Sequence, residues 1–140
     1  MKGCYCLIIE LEKDSNIKIG KLGRIPFNKG HYVYVGSAMN SLENRIRRHL
    51  SEEKKLHWHI DYFLKDPKSR IVDVTFNVDV KVECEISGYL SKRSFGIKGF
   101  GCSDCNCESH LYYFKNRKDA IESVENAYDS IAMEFEYFSM

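Results

Sequence analysis

Residues 3–11 (GCYCLIIEL) carry apolar side chains almost without a break, with a glycine in front and charges behind. A short run of that kind predicts a buried strand. Residues 17–30 mix apolar side chains with Gly20, Gly23, Pro26 and Gly30, which predicts short strands and turns. Residues 31–37 (HYVYVGS) are β-branched and aromatic, and predict a second core strand ending at Gly36. In 41–50, Leu42, Ile46 and Leu50 recur at the spacing of one helix face. Asn40 is placed as the N-cap of that helix, with Glu43 to close a capping box. Arg45, Arg48 and His49 share an adjoining face. A second helix is expected over 56–65, with Leu56, Ile60, Phe63 and Leu64 inward and Asp66–Pro67 as its stop.

The later half continues the mixture. Residues 70–78 alternate, as a strand with one wet face does. Residues 80–91 suit a helix with Val82, Ile86, Tyr89 and Leu90 inward, and Glu83 and Glu85 on opposite sides of that arc. A glycine-rich loop follows, then a short strand, LYYF, at 111–114. Asn116 caps a last helix, in which Ala120, Ile121, Val124, Ala127, Tyr128 and Ile131 keep helical spacing. The sum is a mixed α/β (α+β) fold, a small, mainly antiparallel sheet flanked by helices. The closeness of the first two core strands fits a hairpin and not a βαβ crossover.

Composition narrows the class. At 140 residues, one domain over 1–140 is expected. No apolar run approaches the ~20 residues of a transmembrane helix, so no membrane partner is expected. Charges follow the short apolar start at once, unlike a secretory leader, and the cytoplasm is the expected compartment. Six cysteines then suggest thiols or metal ligands more than a disulfide framework. The net charge of +1 does not advertise a nucleic-acid binder, but its distribution is polarised. Arg45, Arg47, Arg48, His49, Lys54 and Lys55 cluster, while the C-terminal stretch is acidic.

Three constellations carry candidate chemistry. The first is Gly3-Cys4-Tyr5, then Tyr34-Val35-Gly36-Ser37, Arg45, His49 and Glu83. Singly, the tyrosines read as strand aromatics, the arginines as a solvated face and Glu83 as a surface carboxylate. The second is His57-Trp58-His59-Ile60-Asp61. On a helix, His57 and Asp61 share a face, as a base and its orienter or as part of a metal site, while His59 points elsewhere. The third is Cys102-x2-Cys105-x-Cys107-x2-His110, with Asp104 inside. Thiolates and imidazole at this spacing can hold zinc, with Cys84 as a substitute for one of them. Buried free cysteines in a glycine-rich loop are the plain alternative. A further option is that Asp104 and His110 line the cleft of the tyrosines.

The first constellation resembles the GIY-YIG nuclease superfamily, which includes the nuclease domain of the excinuclease C subunit and some homing endonucleases. Gly3-Cys4-Tyr5 and Tyr34-Val35-Gly36 stand where that family has its two motifs. The run YVGSAMNSLENRIRRHL matches best. The chain is closer to a branch marked by KLHWHID, EC and FGCSDCNCESHL, whose members also occur fused to endonuclease III-type repair domains. The resemblance implies a metal-dependent endonuclease acting on DNA, with RNA as the other nucleic acid that fits and a DNA-repair protein as a candidate partner. It implies catalytic roles for Tyr5, Tyr34, Arg45 and His49. It gives a carboxylate, Glu83 or else Glu85, to a magnesium or manganese ion. Gly36, Ser37, Arg48, Lys54, Lys55, His57, His59, Asp61, Asp104 and His110 are the candidate cleft or nucleic-acid-binding residues. Two departures stand out: Cys4 replaces an isoleucine, and 12–30 is an insertion between the paired strands. A non-catalytic nucleic-acid-binding module and a metal-binding structural or assembly protein are the rival classes.

Overall fold

A computed structural model describes residues 1–102 and 105–140. Its central strand is β1 (Gly3–Leu11), whose side chains are buried on both faces of the sheet. That is why its apolar run shows no alternation. β4 (Gly30–Ala38) and β5 (Ser69–Val78) pair with it antiparallel, one on each side. β6 (Leu111–Phe114) extends the sheet beyond β4, and β7 (Glu136–Tyr137) beyond β5. The result is a five-stranded antiparallel sheet in the order β6-β4-β1-β5-β7. The segment between β1 and β4, expected as an insertion, is a separate two-stranded ribbon of β2 (Ser15–Lys18) and β3 (Arg24–Phe27), joined by a 3-10 turn.

Four helices cover the sheet: α1 (Leu42–Leu50), α2 (His59–Lys65), α3 (Glu83–Ser91) and α4 (Arg117–Ser130). Alternation along β1 sends Tyr5, Leu7 and Ile9 to one face, where Leu42 and Ile46 of α1, Phe63 of α2 and Phe27 of β3 pack. Cys4, Cys6 and Ile8 face the other way, against Ile86 and Leu90 of α3 and Val124 and Tyr128 of α4. The mixed α+β architecture is therefore as expected, and all six cysteines are free. Among the described residues, no helix is long and apolar enough to cross a membrane.

Local expectations change in three places. β4 runs through Gly36 to Ala38. At the start of α1, Ser41 and not Asn40 is the N-cap; it adopts a left-handed conformation and makes no side-chain cap. The first helical N–H is instead taken by the Met1 carbonyl at 3.0 Å. α2 begins at His59 and not at 56, leaving Leu56 exposed. The cause is Asp61, whose Oδ2 accepts the backbone N–H groups of His57 and Trp58, both at 2.9 Å, and so fixes them as the turn before the helix. His57 and Asp61 consequently do not share a helix face. Asn116 caps α4 as expected, accepting from the Asp119 N–H at 2.8 Å.

Candidate functional site

The start of β1 lies beside the ends of β4 and β5, since Gly3 pairs with both Ala38 and Val78. α1 leaves the sheet from β4 and α3 from β5 at this same end. The topology thus brings the two tyrosine motifs, the arginine helix and the first turn of α3 around one cleft of about 430 Å³.

Tyr5 lies opposite Gly36 and Tyr34 opposite Leu7, which puts both tyrosines on one face of the sheet. Their rings are 6.4 Å apart and both line the cleft. The ring of Tyr5 lies across Gly36, where a Cβ would come within 2.5 Å of its Cζ and hydroxyl oxygen. Glycine is the residue that leaves this space free. Behind Tyr5, its hydroxyl meets His49 Nε2 at 2.7 Å. Burial, then the neighbouring Tyr34, pushes the Tyr5 phenol well above its ordinary pKa, against the pull of Arg45. Burial also lowers His49 to about 3, against the opposing field of Asp61. Both groups are therefore neutral near pH 7.

Arg45 reaches the cleft from α1, over the buried Leu42 and Ile46. Its Nη1 donates to the Ser37 carbonyl at 3.1 Å, and its guanidinium lies 4.4 Å from the centre of the Trp58 ring. Arg48, one turn on, lies equally close to that ring. Arg48 is also bound bidentately by the fully buried Asp61 carboxylate, at 2.9 and 3.0 Å. Burial raises the Asp61 pKa, but the Arg48 guanidinium and the two backbone N–H groups outweigh it and hold the carboxyl below its usual range. Asp61 is thus an anchor for the turn and for the arginine helix.

Glu83 begins α3 and is half-buried at the cleft wall. Cys4 Sγ donates to its Oε2 and Ser37 Oγ to its Oε1, each at 3.2 Å. Lys81 Nζ stands 3.8 Å from Oε1. Glu85 is exposed and does not line the cleft, so the geometry selects Glu83 of the two. Among the described residues, Glu83 is the one carboxylate lining it.

A second set adjoins this wall. One ligand atom each from Cys84, Cys105, Cys107 and His110 lie within 4.8 Å of one another, an arrangement able to hold a metal ion. Cys107 Sγ is 2.9 Å from Cys84 Sγ, and Cys105 Sγ is 3.1 Å from His110 Nε2. His110 Nδ1 is fixed by Ser87 Oγ at 2.7 Å, which turns Nε2 toward the sulfurs. Cys102, expected as a ligand, is not in this set; its thiol donates to the Phe100 carbonyl at 3.4 Å. α3 packs beside the loop and supplies Cys84 in its place.

The remaining expected residues divide. Gly36, Ser37, His57, His59 and His110 line the cleft. His59, expected to point elsewhere, accepts the Gly101 N–H on Nδ1 at 2.9 Å. Arg48 and Asp61 spend their charges on each other. Lys54 lines a separate cavity of about 550 Å³, and its Nζ donates to the carbonyls of His49 and Ser51. Lys55 is exposed and contributes a carbonyl to Arg48. Asp104 lies outside the described residues. Sequence reasoning missed the cleft roles of Trp58 and Lys81, and the bond from the buried Cys4 to Glu83. Cys4 left a signal as the unusual centre of its motif, and Trp58 as a member of KLHWHID.

The fold and site define a mixed α+β domain with a tyrosine-, arginine- and glutamate-lined cleft beside a thiol–imidazole set. Residues 4–133 match the family described as a domain of unknown function, DUF123, and the chain belongs to that family. No curated protein and no solved structure matches it.

Proposed function

We propose that this chain is a metal-dependent endonuclease that hydrolyses DNA phosphodiester bonds. The observation that carries the reading is the convergence of Tyr5, Tyr34, Arg45 and Glu83 on one cleft, with His49 behind Tyr5. Hydrolysis requires a deprotonated water, an anchored phosphate and neutralisation of developing charge. Arg45 is the fixed cation for the phosphate oxygens. The neutral Tyr5 phenol orients water through its hydroxyl, and the neutral His49 imidazole holds that hydroxyl in place. Tyr34 supplies the second hydroxyl at the same wall.

Glu83 fits a magnesium or manganese ion, because a hard cation that keeps most of its waters needs few protein oxygens. Both oxygens of Glu83 accept from neutral donors, and the nearest cation, Lys81 Nζ, stands 3.8 Å from Oε1. When bound, such an ion lowers the pKa of coordinated water and screens the phosphate. The sulfur and nitrogen donors of Cys84, Cys105, Cys107 and His110 suit a different ion, which we assign as zinc.

The test is cleavage of plain, nicked and branched duplex DNA with magnesium, manganese or a chelator. Metal-stimulated cleavage is expected, with Glu83→Gln and Tyr34→Phe retaining binding but losing cutting. Salt-sensitive binding without cleavage of any form would favour a binding module. Neither binding nor cleavage would remove the nucleic-acid reading.

A further inference from the structure

The thiol–imidazole set begins one residue from Glu83. Cys84 follows it on the first turn of α3, and Ser87 lies about one turn further. Both reach the loop before β6, Cys84 through Cys107 and Ser87 through His110. The same loop forms the opposite side of the cleft. Gly101, at a positive φ of 72°, gives its N–H to His59, while Cys105 and His110 line the cleft directly. Backbone bonds tie the base of the loop, from Ile97 to Leu111 and from His110 to Phe100. The segment carrying Cys105 and Cys107 is irregular and meets α3 through side chains. At the other end of this junction, the N-cap of α3 is Val82, which has no side-chain cap.

We infer that a zinc ion held by Cys84, Cys105, Cys107 and His110 clamps the first turn of α3 to the loop and thereby sets Glu83 in the cleft. A bare group of thiols cannot do this work, since the sulfhydryl is a weak donor and a weak acceptor. Four metal–ligand bonds from two chain segments replace those weak contacts with a closed tetrahedral joint. The two cation sites then act in sequence: the soft-donor site is filled first and fixes the wall on which the hard-cation carboxylate stands. Cys4 and Ser37, on the sheet, receive Glu83 once the helix turn is placed. The coupling to Glu83 rests on reading that residue as a cation ligand, whereas the clamp itself does not.

The experiment compares the zinc-loaded protein with the same protein stripped by a mercurial and chelator and then reduced. Amide hydrogen exchange is followed across 82–91 and 97–110, and manganese binding by electron paramagnetic resonance. On stripping, exchange in the first turn of α3 and in the loop should rise about tenfold or more while β1 and β4 stay protected. Manganese affinity should fall about tenfold, and added zinc should restore both. Ser87→Ala keeps every ligand but frees His110, and should weaken zinc about tenfold or more. If the protein takes up no zinc, if exchange is the same with and without it, or if Ser87→Ala binds it unchanged, the clamp is wrong. If exchange responds but manganese binds neither form, or binds Glu83→Gln equally well, the clamp stands and the role given to Glu83 fails.

Discussion

The Tyr5 hydroxyl stands 2.7 Å from His49 Nε2, joining the first strand to the arginine helix through two buried groups that titrate far from their usual ranges. A second relationship follows from the first. His49 Nδ1 is also buried and has no partner among the described residues, so protonating this ring places an uncompensated charge in the core.

Acid should therefore weaken the fold through His49. Its folded pKa of about 3 lies below the unfolded value, so the unfolded chain binds the extra proton first. The stability is fully present above the unfolded value, ~6.5, and declines as pH falls toward about 3. By pH 5.5 the loss from this group is on the order of 1 kcal/mol. Urea unfolding at pH 8 and 5.5 measures it, and His49→Gln should flatten the difference.

Gly36→Ala should displace the Tyr5 ring, because the new methyl would overlap its Cζ and hydroxyl oxygen. Overpacking of this kind costs about 1–3 kcal/mol. The near-ultraviolet circular dichroism of the tyrosines should change along with the urea midpoint. An unchanged spectrum and midpoint would show that the ring does not lie across this glycine.

Asp61→Ala should be among the most damaging single substitutions. It removes the buried partner of Arg48 and unties the turn before α2. Breaking a buried pair from one side costs about 3–5 kcal/mol. Thermal unfolding of Asp61→Ala beside Arg47→Ala, whose ion pair with Glu43 is exposed, gives the comparison. Arg47→Ala should change stability by less than about 1 kcal/mol.

Cys84, inside the metal set, and Cys102, outside it, should behave differently. Cys102→Ser should leave zinc content unchanged, since its thiol is not in the four-ligand set. Cys84→Ser should lower zinc affinity sharply, because it removes a ligand. Elemental analysis after exhaustive dialysis against a weak chelator distinguishes them, and equal loss from both would return Cys102 to the site.

The chain's patterning explains which of these features could be read in advance. β1 and β4 were legible because their side chains are buried on both faces, and α1 because Leu42 and Ile46 keep helical spacing above a buried stripe. Tyr5, Tyr34 and Arg45 were legible as a motif, and register then brings the two tyrosines together. β7 escaped notice because two exposed residues carry no periodicity and gain their strand character only by pairing with Thr75 and Phe76. The start of α2 was misplaced because the side chain that stops it, Asp61, acts backward on the turn before it. Cys84 was legible only as a substitute ligand: spacing within 102–110 suggested a self-contained set, and the packing of α3 against the loop decides that Cys84 stands in place of Cys102.

The Arg48–Asp61 pair also alters how this surface would meet a polyanion. The run from Arg45 to Lys55 looks strongly basic as text, yet Arg48 is matched inside the fold, Arg47 is matched by Glu43, and Lys54 is tied to carbonyls. Arg45 is the member of that run which faces the cleft. Few counterions would then be displaced when a nucleic-acid strand settles there, each phosphate contact adding about 0.7–0.9 to the slope of log affinity against log salt. Association with such a partner should lose affinity with salt along a shallow slope set by these few contacts, and the shape of the cleft should govern it more than long-range attraction.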